Sequence, residues 1–194
     1  MEIILASASP RRKEILENTK LQFSIEKSNI DEVFFENETP ENMVMRLAYE
    51  KAFDIAKDNR DKLVIGADTI VVLGDEILGK PKDESEAYEM IKNLSNKTHR
   101  VITGISLINL DTNKIVKDYV VSYVTFKNLS EDSIKDYIIT KESLDKAGAY
   151  GIQGYGALLV DHIKGDYFNI VGLPISRLSD LLKENFNINL FYGG

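Results

Sequence analysis

The stretch Ile3-Ile4-Leu5-Ala6-Ser7-Ala8-Ser9-Pro10-Arg11-Arg12-Lys13-Glu14-Ile15-Leu16 passes from a buried strand to a helix within one short turn. Ile3–Ala6 is apolar throughout and reads as the strand. Ser9-Pro10 reads as a helix start, a hydroxyl N-cap followed by proline at the first helical position. The free N–H groups of a first turn carry partial positive charge, so Asp or Glu is favoured there. Arg11, Arg12 and Lys13 stand in that turn instead. A bound polyanion, held by N–H groups, the Ser7 and Ser9 hydroxyls and the guanidinium forks, would offset the mismatch. The alternative is a set of solvated surface cations.

The same alternation of strand and helix continues outward. Gln22–Ser28 alternates as a strand. Thr39-Pro40-Glu41 opens a long helix to about Lys57, with Val44, Leu47, Ala48, Ala52 and Ile55 on its apolar face. Leu63–Leu73 is a β-rich run that Gly74-Asp75 turns into a short partner, Glu76–Leu78. Asp83 caps a helix to about Leu94. His99–Asn109 and Val116–Lys127 read as an antiparallel pair joined through Asp111–Asn113. Ser130–Thr140 reads as a helix, Ala157–Ile163 as a strand and Ile175–Asn185 as a closing helix. Interleaved helices together with hairpin-linked strands predict an α/β protein with a mixed sheet flanked by helices. The 194 residues fit a single domain, or two small lobes sharing a sheet, with no internal repeat or obvious flexible linker.

Composition narrows the chemistry. Thirty-one acidic against 24 basic residues give a net charge of −7, which argues against a nucleic-acid partner. The Arg11–Lys13 cluster is therefore a local exception, as a pocket would require. There is no cysteine, which excludes disulfides, thiolate nucleophiles and Cys-based zinc sites. His99 and His162 are the two histidines, and they stand in no ligand-spaced motif. A metal would be a hard divalent cation on carboxylates, Mg²⁺ or Mn²⁺. No apolar run is long enough to span a bilayer, so no membrane is expected and a cytoplasmic location is.

Five segments carry groups able to do chemistry. In Gly66-Ala67-Asp68-Thr69 one carboxylate interrupts an apolar strand, which is costly unless the charge is paired or faces a cleft. Asp68 is either a strand-end residue bonded to a turn, or a metal ligand or general base. Asp31-Glu32 could supply a second carboxylate. Lys80 precedes Pro81, which biases it to an extended backbone, and Gly79 would permit close backbone approach of a phosphate. Lys51 lies near the apolar face of the long helix, where it either snorkels to solvent or points into a cleft. Lys146–Gly156 is a glycine-spaced loop able to lay Gln153 against a flat ligand, or else a structural loop.

Taken together, Leu5–Arg12, Gly66–Thr69, Leu78-Gly79-Lys80-Pro81, Asp145–Gly154 and Gly172-Leu173-Pro174 resemble the Maf (septum-formation-inhibitor-like) family of nucleoside triphosphate pyrophosphatases. The resemblance implies an elongated Maf/ITPase-like fold with two lobes around a central cleft. It implies metal-dependent hydrolysis of a nucleoside triphosphate to monophosphate and pyrophosphate, and it is compatible with a homodimer. Arg11, Thr69 and Gln153 match the branch acting on dTTP and UTP, and modified pyrimidine nucleotides are further candidate substrates. Under this resemblance Ser7, Ser9, Arg11, Arg12, Lys51 and Lys80 bind the substrate, Glu32 and Asp68 hold the metal, and Asp68 takes the proton from water. A non-catalytic nucleotide-binding regulator of cell division would use the same basic pocket without needing Asp68 or a metal. A phosphomonoesterase or nucleotidyltransferase on the same anion site is a third reading.

Overall fold

The computed structural model describes residues 1–192 apart from Phe34 and Glu36. Seven strands form one sheet, with six in the order β2-β1-β3-β5-β6-β7 and β4 paired to β3. The strands are β1 (Ile3–Leu5), β2 (Ser24–Ile25), β3 (Leu63–Leu73), β4 (Glu76–Leu78), β5 (Thr98–Asn109), β6 (Lys114–Phe126) and β7 (Val160–Lys164). The helices are α1 (Pro10–Glu17), α2 (Pro40–Ala56), α3 (Glu84–Leu94), α4 (Glu131–Ile139), α5 (Tyr167–Val171) and α6 (Ile175–Phe186). β1 is parallel to β2 and β3, whereas β3/β4 and β6/β7 are antiparallel, so the sheet is mixed as expected.

The chain divides into two compact units, and β3, β5 and β6 each contribute residues to both. The first comprises Met1–Asp68, Thr103–Val120 and Gly172–Gly194. Its parallel strands are joined by crossovers through α1 and α2, as parallel pairing demands. Ile4, Ala6, Ala52, Ile55, Ala56, Val64 and Ile108 form a buried cluster under α2. The helix lies unusually close to the sheet. A Cβ at Gly66 would fall 2.2 Å from the Ala48 carbonyl oxygen, and one at Gly104 would fall 2.2 Å from that of Val44. Two glycines on neighbouring strands thus seat the backbone of α2 directly on the sheet. Thr39 caps α2 by accepting from the Asn42 N–H at 3.3 Å. α6 buries Leu178, Leu181 and Leu182, and Arg177 on it pairs with Asp118 at 2.6 Å.

The second unit comprises Thr69–Ile102 and Val121–Val171. Its core includes Val71, Leu78, Ile91, Leu94, Phe126, Ile134, Tyr150 and Leu159. His99 is buried there, with Nε2 2.6 Å from the Tyr150 hydroxyl and its ring edge-on to Phe126. Asn169 anchors α5 by donating to the Val101 carbonyl and to Ser122 Oγ, both at 2.9 Å.

Two expectations are corrected and one helix is added. The strand expected over Gln22–Ser28 shortens to Ser24–Ile25, because it lies at the end of the sheet path and pairs with a strand of three residues. The expected strand start at Ala157 is instead part of a 3₁₀ turn, Gly154–Leu159, and pairing begins at Val160. α5 was not expected, being five residues long with no acidic first turn to announce it.

Candidate active site

The turn after β1 is organised around Ser7. Ala6 donates its N–H to the Ile65 carbonyl at 2.8 Å, which extends the β1/β3 pairing by one residue. The buried Ser7 hydroxyl then accepts from the Ser9 N–H and from Arg12 Nη1, both at 3.2 Å. Ser9 stands at the N-cap of α1, but its side chain makes no capping bond, contrary to the sequence expectation. With the backbone N–H of Ser9 directed to Ser7, the turn is stabilised upstream of the helix rather than by the helix itself.

Arg12 is half-buried and donates from Nε to the Gly172 carbonyl at 2.8 Å. Gly172 has a φ of 123°, a left-handed conformation for which glycine is suited. This contact gives the Gly172-Leu173-Pro174 segment a role the sequence did not reveal. Burial lowers the Arg12 pKa from its usual value, Asp68 opposes that shift, Arg11 adds to it and Glu32 opposes it. The guanidinium of Arg12, the charge of Arg11 and the two carboxylates therefore share one electrostatic neighbourhood. Lys13 does not belong to it, because its exposed ammonium pairs with Glu17 one turn along at 3.5 Å.

Asp68 sits in the middle of β3 and is buried. The ammonium of Lys51, on α2, lies 2.6 Å from Asp68 Oδ1 and 2.7 Å from Glu32 Oε1. The closeness of α2 to Gly66 explains why a helix residue reaches a strand residue so directly. Burying Asp68 without this partner would be unfavourable. Glu32 itself is exposed and belongs to a loop without regular structure. Two carboxylates converging on one cation form an oxygen-only donor set. Among the described residues, no group of three or more His, Asp or Glu could hold a metal alone. Carboxylate oxygens are the donors a hard divalent cation takes, and this pair by itself would leave most of such a cation's coordination to other oxygens.

Of the other expected site residues, Thr69, Lys80 and Gln153 belong to the second unit. Thr69 is half-buried, while Lys80 and Gln153 are exposed. Gly79 needs no close approach from the protein, since nothing lies within 4 Å of a Cβ built there. Its carbonyl accepts the Gly148 N–H at 3.0 Å, which joins the segment before Lys80 to the glycine-spaced loop. That loop is a built structure. Glu142 accepts from the N–H groups of Tyr155 at 3.2 Å and Gly156 at 3.3 Å, bracing the turn that follows Gln153. Glu142 and Arg46 stand in no motif of the sequence, and Gly172 stands in one without a stated role. Only Arg46 leaves a local trace, its i,i+4 spacing to Glu50.

The fold is that of a mixed-sheet α/β protein and has a solved counterpart. The structure of the Staphylococcus aureus Ham1 protein is similar with a TM-score of 0.52, at 15% identity, over 82% of this chain and 80% of that one. The family model of the Maf-like protein matches residues 2–185, and the chain belongs to that family. A protein of Clostridioides difficile (strain 630) named dTTP/UTP pyrophosphatase is 67% identical over the whole of both chains. One of the same name from Thermoanaerobacter sp. (strain X514) is 50% identical, covering 98% of this chain and all of the other. A third, from Bacillus cereus (strain ATCC 10987 / NRS 248), is 51% identical over 97% of this chain and 92% of that one.

Proposed function

We propose that this chain hydrolyses dTTP and UTP to the monophosphate and pyrophosphate with the help of a divalent cation, Mg²⁺ or Mn²⁺. The observation that carries this reading is the convergence of Glu32 and Asp68 on one cationic position, beside the Arg12 guanidinium. The names of full-length relatives supply the substrate.

Glu32 and Asp68 would hold the cation. When bound, it neutralises phosphate charge and makes water a better acid. Arg11, Arg12 and Lys51 neutralise the triphosphate and the Ser7 and Ser9 hydroxyls donate to its oxygens, and the family resemblance adds Lys80 to this set. Arg12 is pre-set for this by Ser7 and the Gly172 carbonyl, so its guanidinium loses little freedom on binding. The Asp68 carboxylate accepts the proton of a water whose oxygen attacks the α-phosphorus. The bond from the α-phosphorus to the bridging oxygen breaks, its electron pair stays on that oxygen, and pyrophosphate leaves. Thymine and uracil present two carbonyl acceptors around one N–H. The family resemblance assigns the reading of that edge to Arg11, Thr69 and Gln153, and the Gln153 amide carries both a donor and an acceptor.

The test is a panel of natural and modified nucleoside triphosphates, incubated with the purified protein and each metal and scored for pyrophosphate. Metal-stimulated pyrophosphate from dTTP and UTP is expected. Tight nucleotide binding without any product would point to the regulator reading. Free phosphate or a transferred nucleotide would replace the proposed reaction with a different one.

A further inference from the structure

Glu32 lies in a long connection between β2 and α2, and residues 26–33 have no regular structure. A carboxylate on such a segment is a poor ligand unless something fixes it, because ordering the chain costs free energy at the moment of binding. The loop is fixed to α2 on both sides of Glu32. Three residues before it, the Asn29 N–H donates to Asp54 Oδ2 at 3.0 Å. One residue after it, the Val33 carbonyl accepts from Arg46 Nη2 at 2.8 Å.

Arg46 does far more than this one bond. Its Nε and Nη2 fork onto the Glu38 carboxylate at 2.8 and 2.7 Å. Its Nη1 reaches both oxygens of Glu50 at 3.1 and 3.2 Å. The guanidinium carbon lies 4.5 Å from the centre of the Phe35 ring. One planar group thus joins three points of the loop, at positions 33, 35 and 38, to the helix that also carries Lys51. Its side chain is 19% exposed and that of Glu38 is 15% exposed, so the fork is sheltered from full solvent screening. A lysine could not reproduce the set, since it lacks the planar fork and the stacking face.

We infer that Arg46 is the positioning residue that presents Glu32 as a preformed ligand for the divalent cation. Arg46 acts through the backbone on one side of Glu32, at the Val33 carbonyl. The inference rests on the reading of Glu32 as a metal ligand.

Mn²⁺ binding to the full chain, followed by electron paramagnetic resonance without nucleotide, tests it on wild type, Glu32→Gln, Arg46→Lys and Arg46→Ala. Partners of metal ligands are worth roughly 10–100-fold in affinity, and Arg46→Lys is expected to weaken Mn²⁺ by about tenfold. Binding of a fluorescent nucleotide in the presence of a chelator is expected to hold, which a general loss of structure would not allow. If Arg46→Ala does not fold, Arg46→Lys alone decides. Mn²⁺ affinity unchanged in a folded Arg46 variant, while Glu32→Gln weakens it, overturns the positioning role and leaves Glu32 a ligand. Unchanged affinity in Glu32→Gln overturns the ligand reading, and this inference with it.

Discussion

The Lys51 ammonium lies 2.6 Å from Asp68 Oδ1, joining the C-terminal half of α2 to the centre of β3. The Lys51 and Asp68 side chains are only 16% and 9% exposed. Breaking a buried pair typically costs about 3–5 kcal/mol, and here Arg12 near Asp68 and Glu32 on Lys51 would offset part of that. Lys51→Met is therefore expected to lower stability by up to several kcal/mol in chemical denaturation. Adding Asp68→Asn to it should restore part of the loss. A double variant with the summed penalty of the two singles would show that the pair is not coupled.

Asp68→Asn keeps the shape of the side chain and removes its basicity. Pyrophosphate release from dTTP should fall by a factor of about 100 or more, the usual weight of a general base. Circular dichroism should show the fold retained. Undiminished turnover would remove Asp68 from the chemistry.

Gly66 and Gly79 make a contrasting pair. A Cβ at Gly66 meets the Ala48 carbonyl oxygen at 2.2 Å, so Gly66→Ala must push α2 off the sheet. The expected loss is about 1–3 kcal/mol or more, and activity should fall with it because Lys51 moves relative to Asp68. Gly79 has open space, so Gly79→Ala should leave stability within about 0.5 kcal/mol of wild type. If a phosphate packs against Gly79, the same variant raises KM. An unchanged KM would take Gly79 out of the substrate contact.

His99 makes stability depend on pH. Burial lowers its pKa from 6.5 to about 4, so the folded chain keeps the ring neutral where the unfolded chain would protonate it. Above pH 6.5 both states are neutral and the full stability is present. As pH falls from 6.5 towards 4, the unfolded state takes up a proton first and stability is lost, by roughly 3 kcal/mol in all. Thermal melting across this range should show the slope, and His99→Gln should flatten it. An equal slope in the variant would assign the effect to other groups.

Removing Glu142 tests the second unit separately. Its carboxylate braces the turn after Gln153 through the Tyr155 and Gly156 N–H groups. Glu142→Ala should blur the preference for dTTP and UTP over other nucleotides in the pyrophosphate assay. An unchanged ratio of kcat/KM values would detach this brace from base selection.

Local patterns in the sequence determined most of the elements. Thr39-Pro40 and Asp83 start helices because capping and proline chemistry act over one turn. β3 and β4 fall at the expected residues because an apolar run and a Gly-Asp turn are equally local signals. Asp68 was legible because a lone carboxylate in an apolar strand demands a partner. The identity of that partner was not, since Lys51 reaches Asp68 only after α2 settles onto Gly66 and Gly104, and Glu32 meets the same ammonium from a separate loop. The hold of Gly172 on Arg12, and the fork of Arg46 on Glu38, likewise belong to the tertiary structure alone. Side chains brought together from separate segments leave no periodicity, and their contact energies exist only once the backbone has closed around them.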